Sequence, residues 1–344
     1  MRVTVGPAGL RQEVKKITNR KKPFQYGVVG LVVFFIAATL LLEYSLRGQM
    51  HLPVKTGDHT EATRDYLAGQ EKKAGYAHPE SLVTVHELND LLADPQTFII
   101  DARGKNLKIM RTVYSGGHIP GAVPVLLSDY CHPAYPGQIG TPVQLQNLLG
   151  KIGAGNNSRI ILYGDDGLQA RLYWAIKMYG YHNAAILDGG LEKWREAGFE
   201  ISTATKKYPV KNFAFNPDNI SESLLLATHA EVEAAVNNPG WVIVDVRSSE
   251  DYAARRIPGS INLDWLNVLH TDMTFKPALE LRELALSKGI TPDKGIIVYC
   301  DDGVKSALVW FVLQELLGYP VVKNYDGALN QWLELAKPVE TTSD

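Results

Sequence analysis

"VYCDDGVKSALVW", Val298–Trp310, and "LYGDDGLQARLYW", Leu162–Trp174, are one pattern written twice. Each runs from a tyrosine through Asp-Asp-Gly to a tryptophan eleven residues after the tyrosine. Each follows a short apolar run, "RIIL" or "GIIV", and passes into apolar residues at helical spacing. The pattern predicts a strand, a tight loop and a helix, with the loop at the C-terminal end of the strand. The copies differ most at one position, where the second has Cys300 and the first has Gly164.

The match extends outward from the loops. "TVHELNDLLADP" begins at Thr84 and "THAEVEAAVNNP" at Thr228, each opening with a Thr-x-x-Glu capping box and closing on a proline. Apolar runs follow, "TFIIDAR" and "WVIVDVR", ending in Asp101/Arg103 and Asp245/Arg247; threonine to aspartate is 17 residues in both. "GHIPGA" at Gly117 answers "RRIPGS" at Arg255, and "ILDGGLEKW" answers "NYDGALNQW". Five blocks in one order make an internal repeat, and strands alternating with helices predict α/β domains. Each should be a mostly parallel sheet with helices on both faces. The expected boundaries are a first domain at 81–205, a linker at 206–221 and a second domain at 222–340.

The N-terminal part differs in character. "PFQYGVVGLVVFFIAATLLL", Pro23–Leu42, carries no charge over 20 residues, close to what spans a bilayer. The preceding "RQEVKKITNRKK" has six basic residues against one acidic, and the positive-inside rule then puts the N-terminus in the cytoplasm. The expectation is a basic segment 1–22, a transmembrane helix 23–46 and a polar tether 47–80. That would make a single-pass inner-membrane protein with its domains outside the cytoplasm, in the periplasm of a Gram-negative cell. A cleaved signal peptide is the rival, although no A-x-A site follows the apolar run.

The net charge of -2 and the lack of a basic stripe after residue 50 argue against nucleic acid as a partner. Two cysteines, Cys131 and Cys300, are too few for a disulfide framework or a four-cysteine zinc site, and no metal or cofactor is called for. What a single thiol can do is therefore the chemical question. Cys300 sits at a strand's C-terminal end before a helix, the edge where open α/β sheets bind ligands. Backbone N–H groups of "CDDGVK" pointing at the sulfur would favour a thiolate and, with one sulfur added, a persulfide. Gly303 permits the curvature.

Each repeat resembles a rhodanese domain, and the pair resembles the tandem rhodanese sulfurtransferases. The Asp-x-Arg strand end, the G-H-I-P-G-A turn, the strand–Cys–loop–helix unit and the D-G-G/W segment carry the resemblance, over about residues 81–340. It implies double displacement: Cys300 takes sulfur from a small donor such as thiosulfate and passes it to a thiol, protein or other thiophilic acceptor, without a metal. It also implies a substrate site formed by Asp301, Asp302, Gly303, Val304, Lys305 and Arg247. Lys305 would steady an anionic donor; Asp245/Arg247 also reads as a pair that ties loops together.

Two departures stand out. Thiosulfate-specific relatives place basic residues after the cysteine, whereas Asp301 and Asp302 follow it here, and Asp251 stands where they have a second arginine. Carboxylates beside the sulfur raise its pKa and repel a dianion, unless the pair serves loop shape, as its recurrence at Asp165/Asp166 suggests. The first copy lacks the loop thiol and should be silent, packing against the active half and walling its cleft. Cys131 lies in the turn-rich "LSDYCHPAYPG" and reads as structural. A phosphatase of this fold needs Cys-x5-Arg, but the sixth residue after Cys300 is Ser306. The remaining alternative is a non-catalytic persulfide carrier or partner-binding module.

Overall fold

The computed structural model describes residues 59–342. The first repeat contains β1 (Leu82–Val83), β2 (Thr97–Gly104), β3 (Val123–Leu126), β4 (Cys131–His132), β5 (Tyr135–Ile139), β6 (Arg159–Tyr163) and β7 (Ala184–Leu187). The second contains β8 (Trp241–Asp245), β9 (Ile261–Asn262), β10 (Gly295–Tyr299) and β11 (Val322–Asn324). The first sheet has the order β1-β7-β6-β2-β3 and the second β11-β10-β8-β9, with every pairing parallel. A parallel bridge from Leu226 to Asn324 stands in the second sheet where β1 stands in the first. The two halves share one α/β topology, as the repeat predicts.

Both expected capping boxes form. The Thr84 hydroxyl accepts from the Glu87 N–H at 3.2 Å while the Glu87 carboxylate accepts from the Thr84 N–H at 2.8 Å, and Thr228/Glu231 repeats the arrangement. Each cap satisfies N–H groups that the first helical turn leaves unpaired, typically worth about 1 kcal/mol.

Strand side chains alternate between two layers. Ile99, Ile161 and Leu187 face a cluster closed by Trp194, and Ile243 and Ile297 face its counterpart closed by Trp332. The opposite faces, with Ile100, Leu162, Val244 and Val298, feed one core that continues through both halves. Helices Leu168–Met178 and Val304–Phe311, each following a signature loop, meet in that core. Tyr173 and Phe311 pack edge to face with centroids 5.0 Å apart, and Trp174 and Trp310 are fully buried. Burying a side chain of this size contributes roughly 1.5–3 kcal/mol, so the contact between the halves is a hydrophobic core.

Two expectations are corrected. Among the described residues no helix is long and apolar enough to cross a membrane, so a single-pass inner-membrane protein is not supported. The stretch 23–46, on which that expectation rested, lies outside the described residues. The tether expected over 47–80 is helical from His59 to Ala74, and its end docks on both halves. Lys72 pairs with Asp188 at 2.6 Å, Lys73 with Glu87 at 2.7 Å, and Tyr76 donates to the Lys276 carbonyl at 2.9 Å. Ion pairs hold this helix, which is why no apolar period announced it.

Candidate active site

Cys300 follows the last residue of β10 and is 1% exposed. Its sulfur lies 3.6 Å from Asp302 Oδ1 and 3.6 Å from Ser306 Oγ. Gly303, with φ of +75°, reverses the chain so that the helix can begin at Val304. A Cβ there would stand 2.6 Å from Arg171 and 2.7 Å from the Asp326 carbonyl, so only glycine fits. Backbone N–H groups of Ser306 and Asp302 point at the sulfur, as a cradle requires. The net effect differs from the sequence expectation: burial pushes the Cys300 thiol up, Asp302 adds to this, and the Ser306 hydrogen bonds offset only part.

The adjacent aspartates do different things. Asp302 faces the sulfur and also accepts from the Val304 N–H at 3.2 Å. Asp301 is 54% exposed and pairs with Arg247 at 3.3 Å. Arg247 itself is buried, forked on Asp245 through Nε (3.0 Å) and Nη2 (2.6 Å), and donates to the Arg255 carbonyl at 2.6 Å. In the half without a loop thiol, Arg103 forks on Asp101 and donates to the Gly117 carbonyl at 2.9 Å. The same device in both halves identifies Asp-x-Arg as a loop tie. Lys305 stands in the helix's first turn with its ammonium 5.6 Å from the Trp265 ring centroid, and its backbone borders Gly167.

Several participants escaped the sequence. Arg171, fully buried on the first half's helix, crosses to the active loop and donates to the Asp302 carbonyl at 2.7 Å. It also pairs with Asp326 at 2.6 Å and donates to the Gly137 carbonyl. Asp326 in turn accepts from the Ile139 N–H at 2.6 Å, so the β4–β5 hairpin of the first half is pinned over the second half's loop. The repeat reverses the arrangement: Asp188 accepts from the Phe275 N–H at 2.8 Å and takes its cation from Lys72. The signal was an arginine in the middle of a mostly apolar helix and an aspartate recurring in both D-G segments. Cys131, on that hairpin, is half-buried and feels Arg171, Asp326 and Asp302. The first half therefore carries a cysteine of its own, although its loop has Gly164 in place of the thiol.

A buried thiol at a strand end, under a glycine-turned loop and repeated as a thiol-free copy, is the arrangement of a two-domain sulfur-transfer protein. The Rhodanese-like domain model matches residues 84–197 and 228–335, and the chain belongs to the rhodanese family. It is 33% identical to the sulfur carrier protein TtuD of Thermus thermophilus over 277 residues, 75% of this chain and 95% of that one. It is also 33% identical to a "Putative thiosulfate sulfurtransferase" of Saccharopolyspora erythraea, covering 68% of this chain and 88% of that one. Among solved structures, the anaerobic ergothioneine biosynthesis enzyme from Chlorobium limicola superposes with a TM-score of 0.70 at 24% identity, covering 78% and 72% of the two chains. That likeness concerns the fold. By family, the chain is a thiosulfate sulfurtransferase-like transferase.

Proposed function

We propose that Cys300 carries the reaction by double displacement. Its thiolate attacks the outer sulfur of a sulfane donor, the donor's remaining part leaves, and a thiophilic acceptor removes the sulfur from the resulting persulfide. The observation that carries this is the cradle itself, in which Ser306 and the N–H groups of residues 302 and 306 are turned toward the sulfur. They stabilise an anion on Cys300 or on the sulfur added to it.

The charges bear on the donor. Asp302 faces the thiol, Lys305 is occupied by Trp265, and Arg171 by Asp326 and two carbonyls. A dianion such as thiosulfate meets a carboxylate first, so an uncharged donor, such as a protonated organic persulfide, fits better. A second reading, a carrier that holds one sulfur for delivery, is favoured by the burial of Cys300 and by the name of the Thermus relative.

The test is mass spectrometry of the purified protein after exposure to thiosulfate or an organic persulfide, followed by cyanide-dependent thiocyanate formation. One added sulfur on Cys300, lost to cyanide over many turnovers, is the expected result, with Cys300→Ser inactive. A single stoichiometric release supports the carrier. Full transfer by Cys300→Ser rejects both.

A further inference from the structure

The thiol-free loop keeps a cavity that the sulfur chemistry does not use. It has a volume of about 120 Å³ and is bounded on one side by Gly164, Asp165, Asp166 and Gln169. The second half closes the other side with Trp265, Leu269 and Phe275. A cavity of about 150 Å³ holds benzene, so this one has room for a small organic molecule. It lies at the C-terminal end of β6, the edge where open α/β sheets bind ligands, and no residue of the Cys300 loop lines it.

Two observations set the chemistry of an occupant. The first is an orphaned acceptor. Gln169 Oε1 is buried without a hydrogen-bond partner, 3.1 Å from the point where a Cβ on Gly164 would begin the missing side chain. A buried acceptor left without a donor calls for one, and the cavity is where a ligand can bring it. The second observation is charge. In the active loop both aspartates are committed, Asp301 to Arg247 and Asp302 to the Val304 N–H. Their counterparts Asp165 and Asp166 have neither an ion pair nor a side-chain hydrogen bond among the described residues. The third acid of the lining, Glu192, is paired with Arg195 at 2.6 Å. No Lys, Arg or His lines the cavity. Two cations stand nearby, but Arg103 is forked on Asp101 and Lys305 lies over the Trp265 ring. Burial pushes the Asp165 carboxyl up, and Asp101, Asp166 and Glu192 add to this while Arg103 opposes it. A cation at this point would relieve that repulsion.

We propose that the thiol-free loop is a binding site for a small primary alkylammonium ion. The ammonium donates to Gln169 Oε1 and is balanced by Asp165 and Asp166, and the alkyl part lies against Trp265, Leu269 and Phe275. The first half is then silent in sulfur transfer but not in binding. The site stands whether or not Cys300 carries a persulfide.

The experiment titrates the full-length protein, isotope-labelled at tryptophan, with n-butylammonium, and in parallel with butanol and butyrate. The readout is the Trp265 indole signal, assigned by its loss in Trp265→Phe. Butylammonium should shift it saturably, with an affinity about tenfold above that of butanol, the scale of one or two partly screened charge pairs, and butyrate should not bind. Asp165→Asn with Asp166→Asn should remove most of that advantage and its salt dependence. Asparagine tolerates the left-handed φ of +55° at position 166, so this variant keeps the loop. Gln169→Met, of similar size without the acceptor, should weaken butylammonium and leave butanol unchanged. Cys300→Ser should bind as the wild type does. Butanol binding as tightly as butylammonium would reduce the cavity to an apolar void and overturn the proposal. An unchanged affinity in the double Asn variant, loss of binding in Cys300→Ser, or no shift of the Trp265 signal overturns it as well. None of these outcomes touches the sulfurtransferase reading.

Discussion

Burial, the Asp302 carboxylate and the Ser306 hydrogen bonds act on the Cys300 sulfur together, and the first two prevail, so the thiol ionises above its usual range. An ordinary thiol titrates at about 8.5, and the thiolate is the nucleophile, so the rate should climb with pH beyond that point. Asp302→Asn keeps an oxygen for the Val304 N–H and removes only the charge. The rising limb should therefore move to lower pH, and kcat/KM near neutrality should increase about tenfold. Asp301→Asn should change it by less than about twofold, since that carboxylate is mostly exposed and spends its charge on Arg247, a pair of the kind worth at most about 1 kcal/mol. Rates of thiocyanate formation between mild acid and pH 10 test both variants (pH chosen on the order of the thiol range). An unmoved profile in Asp302→Asn would mean that its charge does not govern the sulfur. The sequence placed both aspartates beside the thiol but had no means of separating them, because a one-residue step along a turning loop reverses which way a side chain faces.

The signature loop, as an element, depends on a left-handed glycine wedged between halves. At Gly303 an added Cβ incurs backbone strain of about 1–2 kcal/mol and collides with Arg171 and the Asp326 backbone. Gly259 has a similar φ of +70° but open space around it. Gly303→Ala should therefore cost about 3 kcal/mol, once overpacking of about 1–3 kcal/mol is added, against about 1 kcal/mol for Gly259→Ala. Urea denaturation of both variants measures the difference; equal losses would show that the contact with the other half carries no energy. Elements of this kind were legible in advance. Strand, loop and capped helix follow from spacing and from Thr84/Glu87 and Thr228/Glu231, which are local signals. The β4–β5 hairpin was not, because its strands are short, rich in Gly and Pro, and fixed by Arg171 and Asp326 from elsewhere in the chain. The helix His59–Ala74 was missed for a similar reason: Asp188 and Glu87 hold it, and neither belongs to the helix itself.

For the whole molecule, the two halves are joined by an apolar core and by reciprocal ties, each half's insertion capping the other's aspartate. The spacing of the repeat showed that there are two halves; it could not show that Arg171 belongs to one and serves the other. Asp326 makes this dependence measurable. Burial raises its carboxyl pKa and Arg171 opposes the rise. A carboxyl whose folded pKa is raised lends stability below its unfolded value, about 3.9, and loses it as pH rises through the folded value. Arg171→Met removes the opposing charge, so the rise should grow and the variant should weaken more steeply than wild type from pH 5 to 7 (a window on the order of that shift). At neutral pH the loss should be about 3–5 kcal/mol, the range for stranding one partner of a buried ion pair. Asp326→Asn still accepts from Ile139 and leaves no charge to strand, so Arg171→Met with Asp326→Asn should be less destabilised than the two single losses summed, by at least about 1 kcal/mol. Recovery should stay incomplete, because the Asp302 and Gly137 carbonyls keep no guanidinium donor. Urea unfolding of the four proteins at both pH values closes the cycle. Additive losses with no pH dependence would show that Arg171 acts through packing alone, and that the electrostatic tie between the halves does not hold the active loop in place.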